Sequence, residues 1–395
     1  MRLLKILSRI GVVLLLLVAS ALVVRAVLNF MEGRALARTL AELEANGMPL
    51  TAQDLIPPCS DEDNAGRLWR AFEYTVTLPG RPTRVPGRPS PGEKSDRRAS
   101  AVAGLISRAW LDFTAGTPLD PADKAALKDV ISKNVKALEL VAEMADKPCF
   151  LYREPSQSLT ESLLPDATKM IQTTKLLFFS ALFSAEDGDA GGAIAGLVTG
   201  LKFTPLVAQE GTLIAFLISV ADTNLLSRCI GEVCRGRALD DTDLLRLMSV
   251  QDQSPWRERL AAAFRGERVL YVETGTDILK AGLGDLGSVY EGASFWQKLG
   301  LWIFRPLLKK DMRRTLAAFD WLAAQASVPY YQSRAELKAW DLQKRPWYAY
   351  LSKFFIGDRE AAFMKVAQIE AIMLANRTGL ACRLYKSRTG AYPVS

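Results

Sequence analysis

Apolar positions dominate the first segment of the chain. Arg2, Lys5 and Arg9 precede an almost unbroken apolar run from Ile10 to Val24, and after Arg25 the run resumes through Met31. As an α-helix, the 22 residues from Ile10 to Met31 measure roughly 33 Å, about one hydrocarbon thickness of a bilayer. Arg25 can reach the interface from such a helix by laying its stem along it. Val27, Leu28, Met31, Ala35, Leu36, Leu40 and Leu43 then recur three or four apart, up to a stop at Asn46-Gly47. A cleavable signal peptide also has a basic start and an apolar core, and Val24-Arg25-Ala26 or Ala19-Ser20-Ala21 would be its cleavage site. The helical pattern crosses both places without a break, which favours an uncleaved anchor running on as a stalk. Cations flank the span on both sides, so the bias toward a cytoplasmic N-terminus is slight.

Nearly every later segment has helical periodicity. Pro57-Pro58 break the chain, and Asp61 reads as the cap of a helix through Phe72. Residues 79–98 are rich in Pro, Gly and Arg and read as a basic loop. A helix follows over 100–113, ended by Gly116. Asp120-Pro121 then opens a helix whose apolar stripe runs from Leu127 through Val135 to Met144. From Glu161 the pattern is paired: one helix to Glu186, a Gly188-Asp189 turn, a second over 190–208 and a third over 211–235. Further helices are expected over 255–266, running on toward Leu279, and over 295–304, 307–326, 331–342 and 359–386, with a glycine-rich loop at 282–292. No alternating run is followed by a hairpin turn. The expected fold is all-α: an N-terminal transmembrane helix, then antiparallel helical hairpins that are partly solenoid-like. Residues 1–47 form the anchor and stalk. Residues 48–395 form the helical extracytoplasmic body, with a point of subdivision near 282–292.

Composition narrows the function. At 395 residues and 49% hydrophobic, the chain has material for a large core. The net charge of +7 is local: residues 1–38, 81–98 and 295–314 carry +5, +4 and +5, which leaves the rest near −7. Basicity confined to the membrane flank, one loop and one helix does not make a nucleic-acid surface. The chain has no histidine, which removes Ser-His-Asp and Cys-His catalysis and His-ligated zinc or haem. No cofactor or metal is expected. Cys59, Cys149, Cys229, Cys234 and Cys382 are odd in number and scattered, so they read as small buried residues and not as a disulfide framework.

Two resemblances are visible. "ALFSAEDGDAGGAIAGLVTGLKF" resembles one hairpin of a tetratricopeptide-type solenoid, in which small-residue helices meet at a Gly-Asp turn. "LYKSRTGAYPVS", after a long helix, resembles the Tyr-x₄-Gly-x-Tyr-Pro-x-Ser motif that opens the C-terminal sheet of type II secretion pseudopilins. The same motif closes an uncharacterised family of bacterial envelope proteins with one N-terminal span and a helical body. "IPPCSDEDNAGRLWRAF" and "RPLLKKDMRRTLAAFDWL" before "VPYYQSRA" are similar to pieces of that family too. The chain departs from pseudopilins, because it lacks the prepilin start and its Tyr-Pro motif lies far from the anchor. It also ends where a sheet would begin, so the expectation is either a truncated sequence or a lost last module. The envelope family implies a membrane-tied helical protein but no activity.

Candidate sites are few. In "FWQKLGLWIFRPLLKKDMRR", Trp296 and Trp302 sit beside Lys298, Arg305, Lys309 and Lys310, a mix that suits a headgroup interface. The plain alternative is a core helix followed by a solvated basic one, with Pro306 between. Glu273 and Asp277 stand four apart and could share a helix face, as paired glycosidase carboxylates would. "ETGTD" is similar to the start of lytic transglycosylase sites, but their Gly-Leu-Met-Gln follow-up is missing, and a solvated face is the simpler reading. Glu210 sits at a helix junction, and Asp222 lies inside an apolar run and needs a partner if buried. No Ser-x-x-Lys motif and no strand-led glycine-rich phosphate loop occur. By elimination the expected function is a membrane-anchored envelope scaffold or interaction module in a bacterial inner membrane. It would contact lipid through residues 10–31 and a protein partner through the body. The alternative is a glycan-cleaving enzyme using Glu273 and Asp277.

Overall fold

The computed structural model describes residues 2–55, 58–76, 93–152, 167–235, 239–251, 255–280, 295–342, 352 and 359–393. Among these the protein is all-α. One isolated bridge, Asn64 to Cys149, is the nearest thing to a strand. Helix α1 (Arg2–Ala45) is one continuous rod, stopped where Gly47 takes a left-handed φ of 67°. The glycine-rich stretch 282–292 and most of the basic loop 79–98 lie outside the described residues, although a helix already begins at Glu93.

Two apolar cores organise the body. The first gathers α2 (Ala65–Thr75), α3 (Glu93–Ala115), α4 (Pro121–Lys133), α5 (Val135–Ala145), α6 (Ala167–Glu186), α7 (Ala190–Val207) and α9 (Asp241–Gln251). Its centre is aromatic: the Trp69 ring stacks on Phe203 at 5.8 Å and meets Phe150 edge-on. The second core gathers α10 (Trp256–Lys280), α11 (Phe295–Ala326), α12 (Tyr330–Leu342), α13 (Glu360–Thr389) and the end of α1, around Trp256, Phe264 and Phe319. Helix α8 (Leu213–Cys234) joins the two. Its Ile218, Leu225 and Leu226 enter the first core, and Phe216 and Val220 enter the second.

Among the described residues three helices are long and apolar enough to cross a membrane, and burial separates them. In α7 and α8, 61% and 67% of the most apolar window is buried inside the protein. An all-round apolar helix at the centre of a large body is core. In α1 none of that window is buried, and its mean hydropathy is 2.7. Such a surface cannot stay in water, so α1 is the candidate span.

Local chemistry explains the joints. Gly188 takes φ 87°, and Asp189 caps α7 by accepting from the Gly192 N–H at 2.9 Å, as the Gly-Asp reading expects. Asp120 caps α4 with Pro121 behind it. Other expectations need correction. Asn64, not Asp61, caps α2, because its side chain accepts from the Gly66 N–H; Asp61 instead pairs with Arg67. The stripe from Leu127 to Met144 is broken at Asn134, whose amide donates to the Val130 carbonyl and splits the helix in two. Pro306 does not divide α11, which runs unbroken through it. Helix α9 was not anticipated from the sequence. The cysteines also depart from expectation. Cys229 and Cys234 are buried thiols, but Cys59 and Cys149 are joined in a disulfide across 90 residues, with Cα atoms 6.4 Å apart. The bond ties the linker after the stalk to the exit of α5, beside the Asn64 bridge. Because the two residues lie so far apart in sequence, no spacing rule would pair them.

Candidate functional site

The seam between α1 and α11 is where the long N-terminal helix meets the body. Arg25, Asn29, Glu32, Gly33, Leu36, Leu40 and Leu43 are the partly or fully buried positions of one α1 stripe, spaced mainly three and four apart. Helix α11 covers this stripe. Pro306 has no N–H, so the Trp302 carbonyl one turn earlier lacks its helical donor. Arg25 supplies the missing donors: its Nε and Nη2 reach that carbonyl at 3.0 and 2.7 Å. The same guanidinium lies over the Trp302 ring, 3.4 Å from the centroid. Further along, Lys309 donates to the Asn29 carbonyl at 3.2 Å, and Arg313 pairs with Glu32 at 3.1 Å. Gly33 leaves room for the Lys309 ammonium, which would stand 3.0 Å from a Cβ there. Residue numbers rise together along both helices, so α11 runs parallel to α1. Its first turns therefore lie beside the apolar half of α1.

The predicted interface residues fall on this seam. Trp302, Arg305, Lys309 and Lys310 are all half-buried, so they are neither core nor a free surface. Trp296 and Lys298 sit in the first turn of α11, and their side chains lie outside the described residues. Around the seam the surface is apolar: Val24, Val27, Leu28, Phe30 and Met31 of α1 and Ile303 and Phe304 of α11 are 44–62% exposed. Burial lowers the Lys309 ammonium from its ordinary value, and the Arg305 and Arg25 charges push the same way. Sequence reasoning missed Arg25 as a partner. The available signal was a lone arginine in an apolar run, together with a proline four residues after a tryptophan.

The carboxylates act as joints. The Glu273 Oε1 accepts from the Ala52 N–H at 3.1 Å, which holds the linker after α1 against α10. Asp277 is exposed one turn further on. Glu210, at the junction before α8, accepts from the Tyr152 N–H at 2.5 Å. Glu267 accepts from Leu213 at the entrance of α8 at 3.0 Å, and Asp311 from the Ser352 N–H at 3.1 Å. Arg268, almost wholly buried, pairs with Asp320 and donates to the Pro49 carbonyl. Asp222 is the outlier. It is 2% exposed, between α8 and α6, and its Oδ2 accepts from the Thr174 hydroxyl at 3.0 Å. Burial pushes its carboxyl up to about 7, against the opposing pull of Thr174 and Lys175.

Thus the carboxylates at residues 210, 222, 267, 273 and 311 each accept from a backbone N–H or a hydroxyl of the protein itself. Comparison with known proteins adds no relative: no protein-family model, no curated protein and no solved structure matches the chain.

Proposed function

We propose that this protein is a single-pass membrane-anchored scaffold of the bacterial cell envelope, seated in the inner membrane with its helical body outside the cytoplasm. The observation that carries the reading is the continuity of α1. One rod presents an unburied apolar surface over its first half, and its second half packs into the body core through Leu36, Leu40 and Leu43. The body is therefore fixed to the anchor and not tethered by a loop. The Cys59–Cys149 disulfide supports the extracytoplasmic side, because such bonds persist in oxidising compartments. The scaffold role is supported by the commitment of the buried carboxylates to helix joints. It is also supported by exposed apolar residues on α13, where Leu374 is 63% exposed and Tyr385 48%. The α6–α7 hairpin adds a solenoid-like element to this role.

In-cell photo-crosslinking from residues 374 and 385 tests the role. A discrete adduct of higher mass at those positions, absent from buried position 363, is expected. A Glu273→Gln variant that keeps its fold yet abolishes a measurable glycan-cleaving activity of the parent would replace this reading with an enzymatic one.

A further inference from the structure

Three cations come together near the body-side end of the apolar half of α1. Arg25 spends Nε and Nη2 on the Trp302 carbonyl, and Lys309 spends one donor on Asn29. Arg305 stands four residues before Lys309 on the same face of α11 and three after Trp302. Among the described residues none of the three is ion-paired: Glu32, the acid nearest in α1, is taken by Arg313, and Asp311 holds Ser352. The charges of Arg25, Arg305 and Lys309 repel one another, so an anion placed among them would relieve that repulsion. The seam is rimmed by exposed Val24, Leu28, Ile303 and Phe304, which are acyl-chain contacts and not contacts for a water-borne anion. Indole beside cations at an apolar edge is the composition of a headgroup boundary.

We propose that Arg25, Arg305 and Lys309 form a binding site for the phosphate of an anionic phospholipid, whose chains lie against the apolar rim of the α1–α11 seam. The site rests on α1 spanning the membrane, and the lipid would weld α11 to the anchor. Two features separate it from general attraction to a charged surface. Arg25 is already held by the Pro306-freed carbonyl, so its remaining donors are positioned before the lipid arrives. Lys309 is steered across Gly33 toward the same place.

The test uses the full chain in detergent micelles, with bound lipid counted by native mass spectrometry. Phosphatidylglycerol should be retained over phosphatidylcholine. Arg305→Gln with Lys309→Gln should weaken that retention by about fivefold for each cation removed. The charge-keeping pair Arg305→Lys with Lys309→Arg should retain the lipid like the parent, which separates charge from folding. Inorganic phosphate at millimolar concentration should not displace the lipid. Equal retention of both lipids, or no change in the glutamine pair, overturns the proposal. Displacement by inorganic phosphate would make this a soluble-anion site and also overturns it. Partition of the protein into membranes is measured separately, so failure of the anchor reading shows as a soluble protein whatever the lipid result.

Discussion

Replacing Arg25 with methionine should destabilise the protein far more in the parent than in a Pro306→Ala background. The reasoning is local. In the parent, the Trp302 carbonyl depends on Arg25, because Pro306 cannot donate to it. Removing the guanidinium orphans that carbonyl at a cost of about 1–3 kcal/mol. It also removes the contact with the indole ring, worth about 0.5–2 kcal/mol at a partly desolvated site. With alanine at position 306, a backbone N–H returns to the Trp302 carbonyl and the helix satisfies it internally. Arg25→Met then forfeits only the ring contact. Residues this closely linked are expected to couple, and the coupling here should be about 1–3 kcal/mol, which is the carbonyl's share. Denaturant titration of the four full-length proteins in one detergent, followed by circular dichroism, measures it. Pro306→Ala has effects of its own on α11, and these cancel in the cycle. If Arg25→Met costs the same in both backgrounds, the freed carbonyl is not what Arg25 is for, and the account of the seam is wrong.

Other consequences can be checked on the same protein. Loop-closure entropy for a 90-residue separation gives the Cys59–Cys149 bond about 4–5 kcal/mol. Reductant should therefore lower the melting temperature of the parent and leave that of Cys59→Ser with Cys149→Ser unchanged; equal responses would show that the bond does not form. Asp222 has a folded pKa raised to about 7 against about 3.9 in an unfolded chain. Its stabilising share is whole below the unfolded value and lost as pH rises through the folded one, at most about 4 kcal/mol. Asp222→Asn should flatten the fall in stability between pH 4 and pH 7, and identical slopes would refute the assignment. At Gly266 an added Cβ would collide with the Gly211 carbonyl oxygen, where α10 crosses the entrance of α8. Gly266→Ala should cost about 3 kcal/mol or more in denaturant titration, whereas Gly231→Ala, which faces open space, should cost nothing.

The parts of the fold that follow local rules were legible in the sequence. The long apolar N-terminal helix is a continuous local pattern, and the Gly188-Asp189 turn and the Asp120-Pro121 cap each depend on residues within one turn of one another. What escaped depends on partners far apart. Asn134 splits a continuous apolar stripe because its amide finds the Val130 carbonyl. Asp61 reads as the cap of α2, but Asn64 takes that place and also bonds Leu151, 87 residues away. Pro306 reads as a helix break, yet the helix passes through it because Arg25, 277 residues away from Trp302, takes the orphaned carbonyl. The aromatic–basic segment was found by composition, but composition offers either a membrane edge or a core. What composition does not show is that Trp302 and Lys309 of the segment pack along α1.

The most direct test of the central claim is the thiol count of the protein in living cells. Acid-trapped cells are denatured and their thiols modified with a polymer-bearing maleimide, before and after reduction. Of the five cysteines, Cys229, Cys234 and Cys382 carry thiols and Cys59 and Cys149 are joined in the disulfide. A body outside the cytoplasm predicts three additions before reduction and five after, on a protein that stays with the membrane fraction. Five additions before reduction would place the body in a reducing compartment and contradict the account.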